Sequence, residues 1–160
     1  MKKFSVIAIA ALMSIAMMST LPALADPPGN NGTVKLDGRP FEKPADPDNE
    51  PHIACRLQLD FFGFDQGDYY ASATFELQAP TLGTSNLLLT KSNIFVGEDP
   101  AGGGTDVDAQ VPINLSGALA DSGATPQPIQ GYHVKVTVHA PFSIGADTKY
   151  KVFWVQPCAS

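Results

Sequence analysis

The stretch that decides the fold is HIACRLQLDF, residues 52–61. Every second residue in it is apolar, and the residues between are mostly polar. The apolar set is Ile53, Cys55, Leu57, Leu59 and Phe61. A period of two residues is that of a β-strand with one face in a core and the other toward solvent. The stretch therefore predicts a half-buried strand with Cys55 on its buried face.

The same period returns further along the chain. Further predicted strands are residues 69–78, 86–96, 106–115, 132–139 and 150–156. The second of these is less regular and is interrupted near residues 91–93. Pro112 has no amide proton for a sheet ladder, so its strand is predicted to lie at an edge or to be bulged.

Turn-forming residues separate these strands, and residues 116–121 are predicted to form a short helical turn. Short strands with turn signals between them are typical of a two-sheet sandwich. The sequence therefore predicts an all-β fold, an immunoglobulin-like two-sheet sandwich of about seven strands. Trp154 shares a predicted strand with Cys158, whereas antibody domains place their tryptophan on a strand between those of the two cysteines.

The amino terminus has the three parts of a secretory signal. Lys2 and Lys3 precede an apolar stretch, and Ala23-Leu24-Ala25 supplies small residues before a cleavage point. The apolar stretch is about 15 residues long, shorter than the roughly 20 that span a bilayer. We therefore expect residues 1–25 to be a signal peptide cleaved after Ala25, with no retained transmembrane segment and a secreted protein, extracellular or periplasmic.

The residues after the expected cleavage divide into an arm and a domain. Residues 26–51 are rich in Pro, Gly, Asn and Asp, with one short strand-like run at residues 33–36. The prolines exclude a helix, and the polarity suggests a turn-rich surface arm. Residues 52–160 are expected to form the β-sandwich, because the remaining length suits one core but not two.

The charge balance excludes one class of partner. The chain has 10 Lys and Arg against 16 Asp and Glu, and its formal net charge is −6. Loss of Lys2 and Lys3 with the signal makes the charge more negative. Nucleic-acid phosphates and anionic lipids require a basic surface. We therefore expect no nucleic-acid partner.

Cys55 and Cys158 are the only cysteines. A single pair in an exported chain is most simply a structural disulfide. A redox pair would favour Cys-x-x-Cys, and a zinc site would need more Cys or His at short spacing. Neither pattern is present in the sequence.

Several strings along the chain carry a family resemblance. They are NNGTVK (residues 30–35), NEPH (49–52), FFGFD (61–65), GEDPAGGGTD (97–106), GYHVKVTVHA (131–140) and KVFWV (151–155). In this order they resemble a family of exported, often wall-anchored bacterial proteins with an immunoglobulin-like β-sandwich. The resemblance implies a compact β domain outside the cytoplasm and supplies no catalytic or ligand residues. The chain differs from the anchored members because it has no Leu-Pro-x-Thr-Gly sorting signal.

The segment of residues 97–108 is rich in carboxylates and glycine. Its acids are Glu98, Asp99, Asp106 and Asp108. Calcium prefers six to eight oxygen ligands, and a flexible loop can supply them. Asp99, Asp106 and Asp108 are therefore candidate metal ligands, although the spacing matches no EF-hand or similar repeat. The alternative is a solvated acidic loop whose glycines make turns. The sequence predicts no cofactor.

Five aromatic residues surround a glycine turn. They are Phe61, Phe62, Phe64, Tyr69 and Tyr70. The alternation assigns Phe61 and Tyr69 to the core, which leaves Tyr70 and one of Phe62 or Phe64 for the surface. Exposed aromatic rings stack on sugars or form partner-binding patches. Phe62, Phe64 and Tyr70 are therefore candidate binding residues, and the alternative is a purely structural role.

The remaining candidates for chemistry are histidines and catalytic motifs. His133 and His139 share the polar phase of one strand, but roughly 20 Å of strand separates them, too far to share an ion. We therefore expect both to be structural. The sequence contains neither a Gly-x-Ser-x-Gly elbow nor a His-Glu-x-x-His motif.

These observations predict a secreted or surface-associated, non-enzymatic module. It is expected to bind a protein or glycan at the cell surface, or to be a structural unit of the envelope. Two alternatives stay open at this point. One is a calcium-dependent extracellular module, and the other is a small secreted hydrolase built on a sandwich.

Overall fold

The computed structural model describes residues 32–38, 49–102 and 105–158. These residues form eight strands and one helix. The strands are β1 (Thr33–Asp37), β2 (His52–Ile53), β3 (Arg56–Phe62), β4 (Tyr70–Leu77), β5 (Leu87–Phe95), β6 (Val107–Asn114), β7 (Tyr132–His139) and β8 (Thr148–Val155). The helix α1 (Ser116–Asp121) lies between β6 and β7.

The strands form two sheets. The first has the order β1-β3-β6, and the second has the order β2-β8-β7-β4-β5. This is the immunoglobulin-like arrangement: β1, β3 and β6 take the places of strands A, B and E, and β8, β7, β4 and β5 those of G, F, C and C′. The predicted all-β sandwich is confirmed, with eight strands in the described residues.

The core lies between the inner faces of the two sheets. Leu57, Leu59 and Phe61 of β3 are completely buried, as the alternation in residues 52–61 predicts. On the other sheet, Phe75 of β4 meets Phe153 of β8 edge to face, with ring centroids 6.5 Å apart. Burying each such side chain stabilises the fold by about 1.5–3 kcal/mol.

The chain changes sheets between β2 and β3. β2 pairs in parallel with β8, whereas β3 pairs antiparallel with β1 and β6. Cys55 lies at this crossover and is bonded to Cys158, beyond the end of β8, with Cα atoms 5.5 Å apart. The predicted disulfide is confirmed. It joins the residue before β3, in the first sheet, to the segment that follows β8, in the second sheet.

The first strand of the sandwich precedes residue 52. β1 lies within the expected surface arm, yet all five of its residues pair with β3, from Thr33 opposite Phe62 to Asp37 opposite Gln58. Val34 and Leu36 are buried in the core. The sandwich therefore includes part of the arm, because this run supplies a partner for one side of β3.

The expected signal peptide, residues 1–25, lies outside the described residues. Within the part of the chain that the structure describes, no helix has the length and hydropathy of a membrane span.

Three local predictions are confirmed. The short helix has the predicted bounds, Ser116–Asp121. The interruption of β5 coincides with a register shift against β4, and Asn93 there has a positive φ of 58°. Pro112 lies on β6, at the edge of the described three-stranded sheet.

Asp60 is an exception to the polar-outside pattern. It lies on β3 in the phase opposite to the core residues, yet it is only 5% exposed, and its Oδ1 has no hydrogen-bond partner. Burial raises the pKa of Asp60 to about 6 from an ordinary value of 3.8. Hydrogen bonds with Gln58 and Gln110 lower it, and the charge of Asp37 raises it. The ionised carboxylate therefore destabilises the fold at neutral pH.

Removal of the disulfide should destabilise the protein strongly. The bridge joins residues 103 positions apart, and a loop of this size corresponds to about 4–5 kcal/mol in the chain-entropy account. We expect the Cys55→Ala/Cys158→Ala variant to lose several kcal/mol of unfolding free energy in urea titrations. Reduced and alkylated wild-type protein should match the variant. A loss below about 1 kcal/mol would contradict the prediction.

Asp60→Asn should change how stability depends on pH. Because its pKa is raised to about 6 in the folded protein, wild-type unfolding free energy should fall as pH rises from about 4 to 6. The variant has no carboxylate at this position, so its unfolding free energy should not fall in this way. We expect the difference in unfolding free energy, variant minus wild type, to increase by up to about 3 kcal/mol between pH 4 and pH 7 in urea titrations. A difference independent of pH would show that Asp60 ionises normally.

Candidate functional site

The outer face of the five-stranded sheet carries a group of large apolar side chains. The buried residues of β4 and β7 point to the core, so the alternate residues of these strands and their register partners point outward. We call the outward apolar group the aromatic face. Its members are Tyr70, Leu87, Phe95, Tyr150, Val152 and Trp154.

Most of the aromatic face is open to solvent. Tyr150 is 70% exposed, Leu87 56% and Tyr70 49%, and Val152 and Phe95 both exceed 40%. Apolar side chains on a surface are ordinary when they are scattered, but a group on one sheet face is typical of a contact surface. The two ends of the face, near Trp154 and near Tyr70, have different neighbouring residues.

A charged row crosses the middle of the face. Val152 of β8 pairs with Lys135 of β7, Lys135 with Glu76 of β4, and Glu76 with Leu87 of β5. The Lys135 ammonium also lies 5.5 Å from the ring centroid of Tyr150, within cation–π range. The row therefore places two opposite charges between apolar side chains, which gives the face polar specificity as well as apolar area.

At one end, Trp154 stacks on a histidine. The ring of His133 lies nearly parallel to the indole, with centroids 4.5 Å apart and an interplanar angle of 24°. The Nδ1 of His133 donates to the Ala79 carbonyl at 2.6 Å, because a carbonyl oxygen only accepts. The imidazole is therefore fixed, and it holds the indole in place. The opening residue of β2, His52, is the register partner of Trp154.

At the other end, Tyr70 contacts Phe95. Their ring centroids are 5.4 Å apart. A hydrogen bond with Asp68, together with the charge of that carboxylate, raises the pKa of Tyr70 above its ordinary value of 10.0. Tyr70 follows the β3–β4 loop directly, and Phe95 is the last residue of β5. This aromatic pair therefore lies where the sheet meets its loops.

Two of the three predicted binding residues are not on the surface. Phe64 is completely buried and lies 6.0 Å from the ring of Phe61. Gly63, with a φ of 66°, reverses the chain, so the strand alternation does not continue to Phe64. Phe62 is 1% exposed on the central strand β3, between its register partners Thr33 and Val107. The expectation that one of Phe62 and Phe64 lies on the surface is therefore wrong, whereas Tyr70 is exposed.

The other members of the aromatic face were not predicted from the sequence. A signal was present in β8, where Lys149 and Lys151 occupy the phase of the core residues and Tyr150 and Val152 occupy the opposite phase. Burial lowers the pKa of Lys151, and the charges of Lys35 and Lys149 lower it further. When the outward residues of a strand are apolar and its inward residues include lysines, the outer face of that strand is a candidate contact surface.

The three predicted metal ligands come together. A carboxylate oxygen from each of Asp99, Asp106 and Asp108 lies within 4.8 Å of the others. Asp108 is buried, Asp106 is partly exposed and Asp99 is exposed. They form the group of described residues with the donor atoms and spacing to hold a metal ion.

Asp108 has the most perturbed electrostatics of the three. Burial raises its pKa to about 6 from an ordinary value of 3.8. The backbone hydrogen bond from Phe64 lowers the pKa, and the charges of Asp106, Asp99 and Glu98 raise it. Burial and the neighbouring charges therefore disfavour ionisation of the Asp108 carboxylate.

The histidines lie outside this cluster. His133 bonds to a carbonyl, and the Nδ1 of His139 lies 3.0 Å from the Thr148 hydroxyl at the far end of β7. Each of the two therefore has its own local partner, in keeping with structural roles.

A pair of alanine variants should separate the core from the aromatic face. Phe64→Ala removes a completely buried ring, so we expect it to reduce the unfolding free energy by about 3–5 kcal/mol. Tyr70→Ala removes a half-exposed ring, and we expect a loss below about 1 kcal/mol. Urea unfolding of both variants measures the difference. Equal losses would mean that Tyr70 is a core residue or that Phe64 is not.

Comparison with known proteins gave no relative from which to transfer a function. No protein-family profile, curated protein or solved structure matches the chain. The aromatic face and the group of Asp99, Asp106 and Asp108 are therefore the features that bear on function.

Proposed function

We propose that the protein is an exported, non-enzymatic binding module that recognises a protein partner through the aromatic face. The observation that carries this proposal is the set of exposed apolar side chains on one side of a regular sheet. The sheet is anchored to the core by its other side, so the face is rigid. A rigid surface loses little conformational entropy when a partner binds.

The composition of the aromatic face supports a docking role. Tyrosine, tryptophan and phenylalanine are enriched at protein interfaces and supply most of their binding energy. Here Tyr70 and Phe95 lie at one end of the face and Trp154 lies at the other, with Tyr150 of β8 beside the charged row. Lys135 and Glu76 lie between the two ends. An apolar contact area with a few charges matches the chemistry of a protein interface.

A protein partner fits this face better than a glycan. Leu87 and Val152 are half-exposed aliphatic side chains at the two ends of the charged row. Aliphatic groups gain free energy by covering other apolar groups, whereas a sugar presents many hydroxyls that require hydrogen-bonding partners. The aromatic rings alone would suit either ligand, but the aliphatic pair favours protein.

Two features support export. The expected signal peptide directs the chain out of the cytoplasm. The Cys55–Cys158 disulfide persists in an oxidising compartment and is rare in a reducing one. The family resemblance described above has the same implication, a β domain displayed outside the cell. An extracellular or periplasmic partner is therefore proposed.

The test is binding of the fluorescently labelled protein, residues 26–160, to intact cells of the producing organism. We expect saturable binding that is lost when the cells are pretreated with protease. Tyr150→Ala and Phe95→Ala should each weaken it about tenfold or more, because truncating an aromatic anchor typically costs over 1 kcal/mol. The matched control is Ile129→Ala, which removes an 87% exposed side chain outside the strands.

Each outcome decides between ligands. Binding that survives protease and is displaced by purified cell-wall polysaccharide would replace the protein partner with a glycan. Binding that Ile129→Ala weakens as much as Tyr150→Ala would exclude the aromatic face as the contact. Absence of saturable binding to cells would overturn the proposal.

A further inference from the structure

Two loops meet at one end of the sandwich. The β3–β4 loop, residues 63–69, carries the chain from the first sheet to the second, and the β5–β6 loop, described for residues 96–102 and 105–106, returns it. The Gly67 amide donates to the Gly97 carbonyl at 3.1 Å, and the Val96 amide to the Tyr69 carbonyl at 3.0 Å. The two loops that connect the sheets are therefore joined by backbone hydrogen bonds.

The carboxylates lie at this junction. The Gly63 amide donates to the Asp106 carbonyl at 2.9 Å, and the Asp106 carboxylate accepts from the Gly102 amide at 2.6 Å. A Cβ at Gly102 would lie 2.8 Å from that carboxylate, so glycine allows the approach without a shift of the Asp106 side chain. The backbone thus holds Asp106 in position from both loops.

Asp108 supplies an independent observation. It is 7% exposed, and its Oδ2 accepts from the Phe64 amide at 3.0 Å. Its Oδ1 is buried and has no hydrogen-bond partner. A buried carboxylate oxygen without a partner is costly, and a bound ion is one arrangement that would satisfy it. The bond from Phe64 fixes the orientation of the carboxylate, as hydrogen bonds around metal sites commonly do for ligands.

We propose that Asp99, Asp106 and Asp108 bind a calcium ion that clamps the β5–β6 loop to the β3–β4 loop. The carboxylates are close enough to share one ion, with ligand oxygens within 4.8 Å of one another. The buried Oδ1 of Asp108 gains a partner, and the repulsion among the three charges becomes attraction to the cation. Phe64 and Gly63 transmit the clamp to the first sheet through their backbone hydrogen bonds.

The donor set selects calcium over other metals. All three side chains offer oxygen and none offers nitrogen or sulfur, which disfavours zinc and copper. Magnesium demands a near-ideal octahedron and retains its waters, whereas calcium accepts an irregular set of six to eight oxygens. A loop site with one buried and two more open carboxylates suits the irregular set, with water completing it. Affinity is expected in the range of extracellular modules, a dissociation constant of about 0.1–1 mM.

The test measures thermal unfolding and calcium titration calorimetry on protein stripped with EDTA. At 5 mM CaCl2 we expect a rise of about 3–6 °C in melting temperature for a site of this affinity. NaCl at equal ionic strength should give no such rise, and MgCl2 a smaller one. Calorimetry should report one calcium per chain.

Asp99→Asn and Asp106→Asn test the assigned ligands without removing a buried group. In EDTA each should melt at or slightly above the wild-type temperature, because one repulsive charge is gone, and each should lose most of the calcium-dependent rise. The control Asp121→Asn removes an exposed acid at the end of α1 and should keep the full rise. No calcium binding to wild type, or a full rise in Asp99→Asn and Asp106→Asn, would overturn the proposal.

Discussion

The two-residue period of the strands is the constraint on which the rest of the structure depends. In a sheet, each residue sent into the core sends its neighbours outward. Burial of Val134 and Val136 on β7 therefore fixes Lys135 on the opposite side. The burial of the core residues thus determines which residues form the aromatic face. A one-residue shift in strand pairing would turn the core residues outward and the face residues inward. A mutation in the core would consequently disturb the face without touching it.

The change of sheets near Cys55 is the second constraint. β2 has only two residues, too few to pair stably alone, yet it occupies the edge beside β8. Trp154 and Gln156 donate their amides to the Pro51 and Ile53 carbonyls, which holds this short strand in place. The disulfide then closes the same edge. The end of β8 that carries Trp154 is therefore fixed through its backbone, and the partly buried indole lies on the outer face against His133.

Much of the fold was predictable because strand phase is a local property. The runs around Leu57 and Phe75 carry their burial pattern in the order of their residues. Prediction failed where phase is interrupted: Gly63 turns the chain, so Phe64 enters the core against the extrapolated alternation. β1 was assigned to the arm since five residues among prolines carry little signal without their partner β3.

The candidate sites likewise differ in whether their residues are close together in the sequence. Asp99, Asp106 and Asp108 were predictable as a group because they are close in the sequence, but the burial of Asp108 on β6 was not. The pairing of β3 with β6 skips Asp108, because Phe61 pairs with Ala109 and Phe62 with Val107, so Asp108 departs from the regular polar phase. The aromatic face joins strands that lie far apart in the sequence. Only the order β8-β7-β4-β5 brings its members onto one surface.

The two proposed sites share backbone, and this determines how they would act together. Tyr70 follows the β3–β4 loop and Phe95 precedes the β5–β6 loop, while the bond between Tyr69 and Val96 joins the loops beside this pair. A cation that orders these loops would also order the Tyr70–Phe95 end of the aromatic face. Coupling of this kind is reciprocal, so a partner that fixes the aromatic pair would raise the affinity for calcium by the same factor. The Trp154 end is held separately by His133 and β2 and needs no cation for its order.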